Sequence, residues 1–205
     1  MTTYSYPTLT RAPNSMAVQL VSNTDTFRSP TTGAMQTVDR GGEHLIISIT
    51  YSALETADRA LLIGFIAKIN GQQHRVTLPF FGVDNQGAFG GTPVVNGASQ
   101  TGTTLDIRGG TDGVTGWIKA GDFFSFNSEL KICTADANTS SASPGGGTAT
   151  ISFSPRIRTS PSDGDSILTT APTGVFMLAG STQSWNYRPG DFSDFTIQFI
   201  EDIAA

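Results

Sequence analysis

The last apolar pattern of the chain constrains what precedes it. Phe195, Ile197 and Phe199 fall on one side of an extended segment while Thr196 and Gln198 fall on the other, the period of two that marks a half-buried strand. A strand of this kind needs a sheet to pair with, and the N-terminal part of the chain supplies one. The two ends therefore belong together, and the segment between them is an insertion.

Met16 to Ser22 is a strand candidate, Asn23 to Gly33 is turn-rich with Pro30 and Gly33, and Ala34 to Val38 resumes extended structure before Arg40-Gly41-Gly42 breaks it. Leu45 to Tyr51 is the strongest strand of this part. Its apolar run predicts a central strand buried on both faces. From Thr56 to Asn70 the period changes to 3.6. Leu54, Leu61, Leu62, Phe65, Ile66 and Ile69 then share a sector of about 140° in helical projection, the mark of a helix with one face on a core. Ser52-Ala-Leu-Glu55 fits a capping box, Thr56 with Asp58 offers a competing start, and Asn70-Gly71 supplies a left-handed stop. His74 to Phe80 follows as a strand with Pro79 near its end.

After the glycine-rich passage Gly82 to Gly91 the chain is uniformly β. Thr103 to Ile107, Phe123 to Phe126, Glu129 to Thr134, Thr148 to Phe153 and Ser166 to Leu168 read as strands, with turns at Asn96-Gly97, Asp112-Gly113 and Asn127-Ser128. Thr139 to Gly147 reads as a mobile hairpin tip. Beyond Pro172, Val175 to Leu178 and Ser184 to Tyr187 alternate again. The expected fold is mainly β. It consists of a β-sandwich hub from residues 1–82 and 170–205, with one α-helix at about 56–70, and a small all-β barrel or roll inserted at 83–169.

The sequence holds 23 Gly, 10 Pro and only 14% charged residues, which suits an all-β chain with part of its surface covered by partners. A net charge of -5, with twelve scattered basic residues, argues against a phosphate-reading surface, so no nucleic-acid specificity is expected. No apolar stretch approaches bilayer length, so no membrane insertion is expected. No secretory leader is visible, so synthesis and folding in the host cytoplasm are expected. Cys133, the single cysteine, rules out an internal disulfide and reads as a buried structural thiol.

Catalytic patterns are missing. His44 and His74 lack a third ligand at metal-site spacing, G-x-S-x-G is absent, and the glycine clusters lack the Gly-Lys-Ser/Thr of a phosphate loop. Asp163/Asp165, Asp191/Asp194 and Glu201/Asp202 are paired carboxylates, but the first pair sits in a turn signal and the others flank the closing strand at positions expected to face solvent. Asp106, Asp112 and Asp122 do not form a D-x-D-x-D calcium loop. The chain is therefore not expected to be an enzyme, nor to hold a metal or cofactor. Aromatic residues carry the remaining signal. Trp117, Phe123, Phe124 and Phe126 either line a face that stacks on sugar rings or belong to a core or subunit interface, and Trp185 and Tyr187 are buried or protein-facing. With Phe195 and Phe199 of the closing strand, Trp117, Phe124, Phe126, Trp185 and Tyr187 form the set of candidate partner or oligomer contacts.

Several longer stretches occur in a telling order. They are Ser22 to Gly33 with Gln36-Thr37, Thr92 to Gly102, Lys119-Ala-Gly-Asp122, Pro155-Arg-Ile-Arg158, Pro161-Ser-Asp-Gly164 and Pro172 to Leu178. Together they span almost the whole chain, which resembles the tailed-bacteriophage minor tail proteins of the distal tail type. The resemblance implies a structural virion protein, a ring-forming adaptor, usually a hexamer, that joins the tail tube to the tail tip or baseplate. It also implies a β-sandwich hub with one helix and a carried domain, tube and tail-tip hub proteins as partners, and no catalytic residue. Two other readings remain open: a carbohydrate-binding module for host surface glycans, or a different ring-forming tail component such as a tube, collar or short-tail adaptor protein.

Overall fold

The computed structural model describes residues 1–82, 84–141 and 145–203. The expected mobile tip at 139–147 therefore falls partly outside the described residues.

Fourteen strands and one helix are present among them. β1 (Thr3–Ser5), β2 (Ser15–Val21), β3 (Thr24–Arg28), β4 (Met35–Asp39) and β5 (His44–Leu54) precede α1 (Thr56–Ile69). β6 (Arg75–Pro79), β7 (Gly91–Val95), β8 (Gly102–Gly110), β9 (Phe123–Phe126), β10 (Glu129–Cys133) and β11 (Gly147–Ile157) come next. β12 (Thr173–Leu178), β13 (Trp185–Arg188) and β14 (Phe192–Glu201) complete the chain. The fold is mainly β with one helix.

One seven-stranded sheet runs in the order β1-β6-β12-β14-β5-β2, with β13 also paired to β14, and a second of five strands runs β7-β8-β11-β10-β9. β14 pairs with β5 from Ser193↔Leu54 to Ile200↔Ile46, so the two ends of the chain do share a sheet. Because β14 is bonded on both sides, it is an interior strand of this sheet. β2 and β1 form the two ends of the sheet.

β5 lies between β2 and β14, but its burial alternates. Leu45, Ile47, Ile49 and Tyr51 are buried, whereas Ile46, Ser48 and Thr50 are only partly so, and the run is therefore covered fully on one face. On that face these residues join Phe195, Ile197 and Phe199, together with Leu62, Phe65, Ile66 and Ile69 of α1. Burying an aliphatic or aromatic side chain contributes about 1.5–3 kcal/mol each, so this core is the main source of hub stability.

α1 follows its sequence signals with two changes. Asn70 adopts the left-handed conformation that ends it, at φ 53°. Glu55 is the N-cap in extended geometry with no side-chain cap, because residues 52–54 remain in β5 and the capping box cannot close. Leu61 is 53% exposed, off the packed stripe. In its place Asp58 is buried, and its carboxylate accepts the backbone N–H groups of Thr10 and Arg11, both at 3.1 Å, which pins the N-terminal segment to the helix.

β9 and β10 form a hairpin whose turn residues Asn127 (φ 48°) and Ser128 (φ 64°) both take the positive φ that tight hairpins demand. This hairpin is a wall between two cores. Leu130 and Ile132 pack into the hub core, whereas Phe124, Phe126 and Cys133 face the second core with Trp117, Ile151 and Phe153. Ser166 and Leu168, expected in a strand, make only single bridges to Val94 and Ser125.

Candidate assembly interface

β3 and β4 stand apart from both sheets as a two-stranded hairpin of their own. The expectation of an irregular turn region at residues 23–33 is thus corrected: Thr24↔Asp39 through Arg28↔Met35 is continuous antiparallel pairing. Neither strand contributes a residue to either core. Phe27, Met35 and Val38 are 59%, 68% and 49% exposed. Phe27 pairs with Gln36 and Asp25 with Val38, so Phe27 and Val38 share one face of the ribbon. Five residues at about 3.4 Å each give an arm roughly 17 Å long.

At the root of this arm lies an ionic junction between hub and insert, and its basic members come from Pro155-Arg-Ile-Arg158. Arg156 Nη2 pairs with Asp39 at the end of β4 and lies 3.7 Å from Glu43 Oε1. Arg158 forms a two-pronged pair with Glu201, Nη1 to Oε1 at 2.9 Å and Nη2 to Oε2 at 2.7 Å, and Glu201 also accepts the Leu45 N–H at 2.9 Å. Glu129 accepts the N–H groups of Arg158 and Thr159 and pairs with the fully buried Lys131 at 2.6 Å. Lys131 also donates to the Arg156 carbonyl at 2.8 Å and lies 5.9 and 5.8 Å from the Phe126 and Phe153 ring centres. Burial pushes the Lys131 ammonium below its usual range, and Glu129 opposes that shift.

Glu201 and Asp202, expected to face solvent, are buried instead, because Arg158 and Arg75 supply opposite charges inside. Asp163 pairs with Arg108 and accepts the Gly97 N–H, and Asp194 pairs with Arg188 and accepts the Ala53 N–H, so both carboxylates serve turns and edges. Asp122 is buried and gathers the backbone N–H groups of Gln86, Gly87 and Lys119, which fixes the entry into the insert. Any side chain at Gly87 would collide there, since a Cβ would stand 2.6 Å from the Trp117 carbonyl. Among the described residues no group of three or more His, Cys, Asp or Glu stands together as a metal site.

The aromatic candidates divide sharply. Trp117, Phe124, Phe126, Phe195 and Phe199 are at most 2% exposed, so as contacts to a partner they are corrected: the first three lie in the insert core and the last two in the hub core. Trp117 Nε1 donates to the Gly90 carbonyl at 3.1 Å, which satisfies its polar atom inside and leaves no platform for a sugar ring. Trp185 is half-buried and stacks on Phe195, with ring centres 6.0 Å apart. Only Tyr187 of the set is well exposed, beneath the Arg59 guanidinium at 5.5 Å. Sequence reasoning found β4, as the extended stretch Ala34 to Val38, but missed β3, its pairing with β4 and the junction. The one signal for the junction was the clustered basic pair of Pro155-Arg-Ile-Arg158.

A further buried polar pair carries a pH signature. The Tyr6 hydroxyl donates to the Tyr51 oxygen at 3.0 Å, and burial raises both phenols above their usual value. In the unfolded chain they ionise near pH 10. The folded state keeps its protons longer, so stability from this pair is present below about pH 10 and is lost as pH rises beyond it. Lys131 acts in the opposite sense, since its folded value is depressed. A melting curve series from pH 8 to 11 should fall less steeply for Tyr6→Phe/Tyr51→Phe than for the parent.

No protein-family model matches this chain, and comparison with curated proteins returns no match.

Proposed function

We propose that the chain is a structural virion protein, a ring-forming adaptor of the distal tail type that joins a phage tail tube to the tail tip or baseplate. The observation that carries this reading is the β3–β4 arm. An isolated two-stranded hairpin is marginal in water, and one that exposes Phe27 and Val38 on a single face gains by covering that face.

A second copy of the chain offers a receiving surface. β2 is a free edge, and beside its start lies a groove of about 510 Å³ whose lining includes Met16, Val18, Phe80, Phe81 and Phe123. The arm leaves after the other end of β2, so arm and groove are different patches of one subunit. Contacts between unlike patches are head-to-tail, and they generate rings when the rotation closes. Repetition around six subunits, the number the resemblance implies, then gives a stable annulus from individually modest contacts.

Sedimentation velocity of the full chain across a concentration series tests this. The parent is expected to form one closed species of fixed stoichiometry. Phe27→Ser/Val38→Ser removes exposed apolar surface only, so its fold should stay within about 0.5 kcal/mol of the parent. Its self-association should weaken at least tenfold. In virions, gold-labelled antibody to the chain should mark the distal end of the tube; label along the tube or at a collar would assign a different ring component.

A further inference from the structure

We infer that Arg156 is a positioning residue for the arm: the inserted domain, through this one side chain, sets the direction in which the β3–β4 hairpin leaves the hub. The inference rests on the assembly reading for its consequence, and on geometry for itself.

The root of the hairpin turns on two glycines. Gly41 and Gly42 follow β4 with φ of +69° and +82°, a conformation that favours glycine. Local bonds hold the base closed, with Asn23 Nδ2 donating to the Gly41 carbonyl at 2.7 Å and the Arg40 N–H to the Asn23 carbonyl at 2.9 Å. Arg40 also pairs with Asp25. All of these contacts lie within the arm and its base, so they fix its shape and leave its direction open.

Among the described residues, Arg156 is the one residue outside 22–42 that hydrogen-bonds or ion-pairs with a β3 or β4 side chain, through Asp39. Its guanidinium also covers Gly41, where a Cβ would stand 3.5 Å from Nη1. The backbone that launches this side chain is fixed on both sides. Lys131 holds the Arg156 carbonyl, and the next basic residue, Arg158, is clamped to Glu201 of β14. A strand of the insert thus reaches across to the glycine joint at the root of the arm. Holding the arm in its docked direction before assembly lowers the ordering cost of each contact.

The test uses the full chain and three variants: Arg156→Ala, Asp39→Asn and the exchanged pair Arg156→Asp/Asp39→Arg. Hydrogen exchange of the amides of residues 24–39 reads arm order, thermal melting reads the fold, and sedimentation reads assembly. Both single variants are expected to speed exchange across the arm and to weaken assembly about two- to fivefold per contact, the range of a partly exposed ion pair. Their melting should stay close to that of the parent. The exchanged pair should recover part of both readouts, limited by Glu43 beside position 156 and by the lost acceptor for the Gly41 N–H, and a loss of general packing would allow no recovery. Unchanged exchange in Arg156→Ala overturns the inference, whatever assembly does. A parent that stays monomeric overturns the assembly reading instead, and exchange alone then decides whether Arg156 positions the arm.

Discussion

Replacing Glu201 by Ala is expected to destabilise the chain by about 3–5 kcal/mol. Glu201 is 2% exposed, and its two oxygens together hold both terminal nitrogens of Arg158 and the Leu45 N–H. Its loss leaves a largely buried guanidinium without its counter-charge and a buried backbone donor without an acceptor. For a chain of this length each kcal/mol moves the melting point by roughly 2–4 °C, so a drop on the order of 10 °C is expected. Glu201→Gln keeps an acceptor for Leu45 and should fall between the two. Glu201→Leu/Arg158→Met removes both charges together and should recover most of the loss, because the desolvation cost disappears with the pair. A double variant as unstable as Glu201→Ala would mean that packing, and not the stranded charge, sets the effect. A calorimetric comparison of the four chains decides it.

Trp117→Ala is expected to cost about 3–5 kcal/mol as well, by leaving a cavity in the insert core. Trp117 is fully buried, with its ring edge toward Phe89 at 5.7 Å between centres and its indole N–H bonded to the Gly90 carbonyl. Gly110 packs beside it, where a Cβ would stand 2.9 Å from Thr139 Cγ2 and 3.3 Å from Trp117 Cε2. This substitution also separates the assembly reading from the carbohydrate reading. If the indole stacked on a sugar, the variant would fold normally and lose glycan binding. A buried Trp117 predicts instead that the insert melts at lower temperature, with any change in binding tracking the unfolded fraction.

Residues whose neighbours in sequence are also their neighbours in space were legible. Phe195, Ile197 and Phe199 announce their strand by alternation, and Asn70-Gly71 announces the end of α1. β3, and with it the pairing of the arm, was invisible for a related reason. Period-two patterns arise where one face meets a core, and neither face of β3 or β4 does. Lys131 and Glu201 were unreadable because their partners are remote. The carbonyl that receives Lys131 lies 25 positions away, and the N–H that Glu201 accepts lies 156 away. The aromatic candidates failed on a different point. Alternation shows that Phe124 and Phe126 share a face, but only the second sheet decides whether that face is a surface or an interior.

The assembly account stands or falls on the mass of the species the purified full chain forms as its concentration is raised. Sedimentation velocity is predicted to show a single closed ring that dissociates on dilution and is lost in Phe27→Ser/Val38→Ser. A folded parent that remains a monomer at the highest concentration reached, with its arm uncovered, would contradict it.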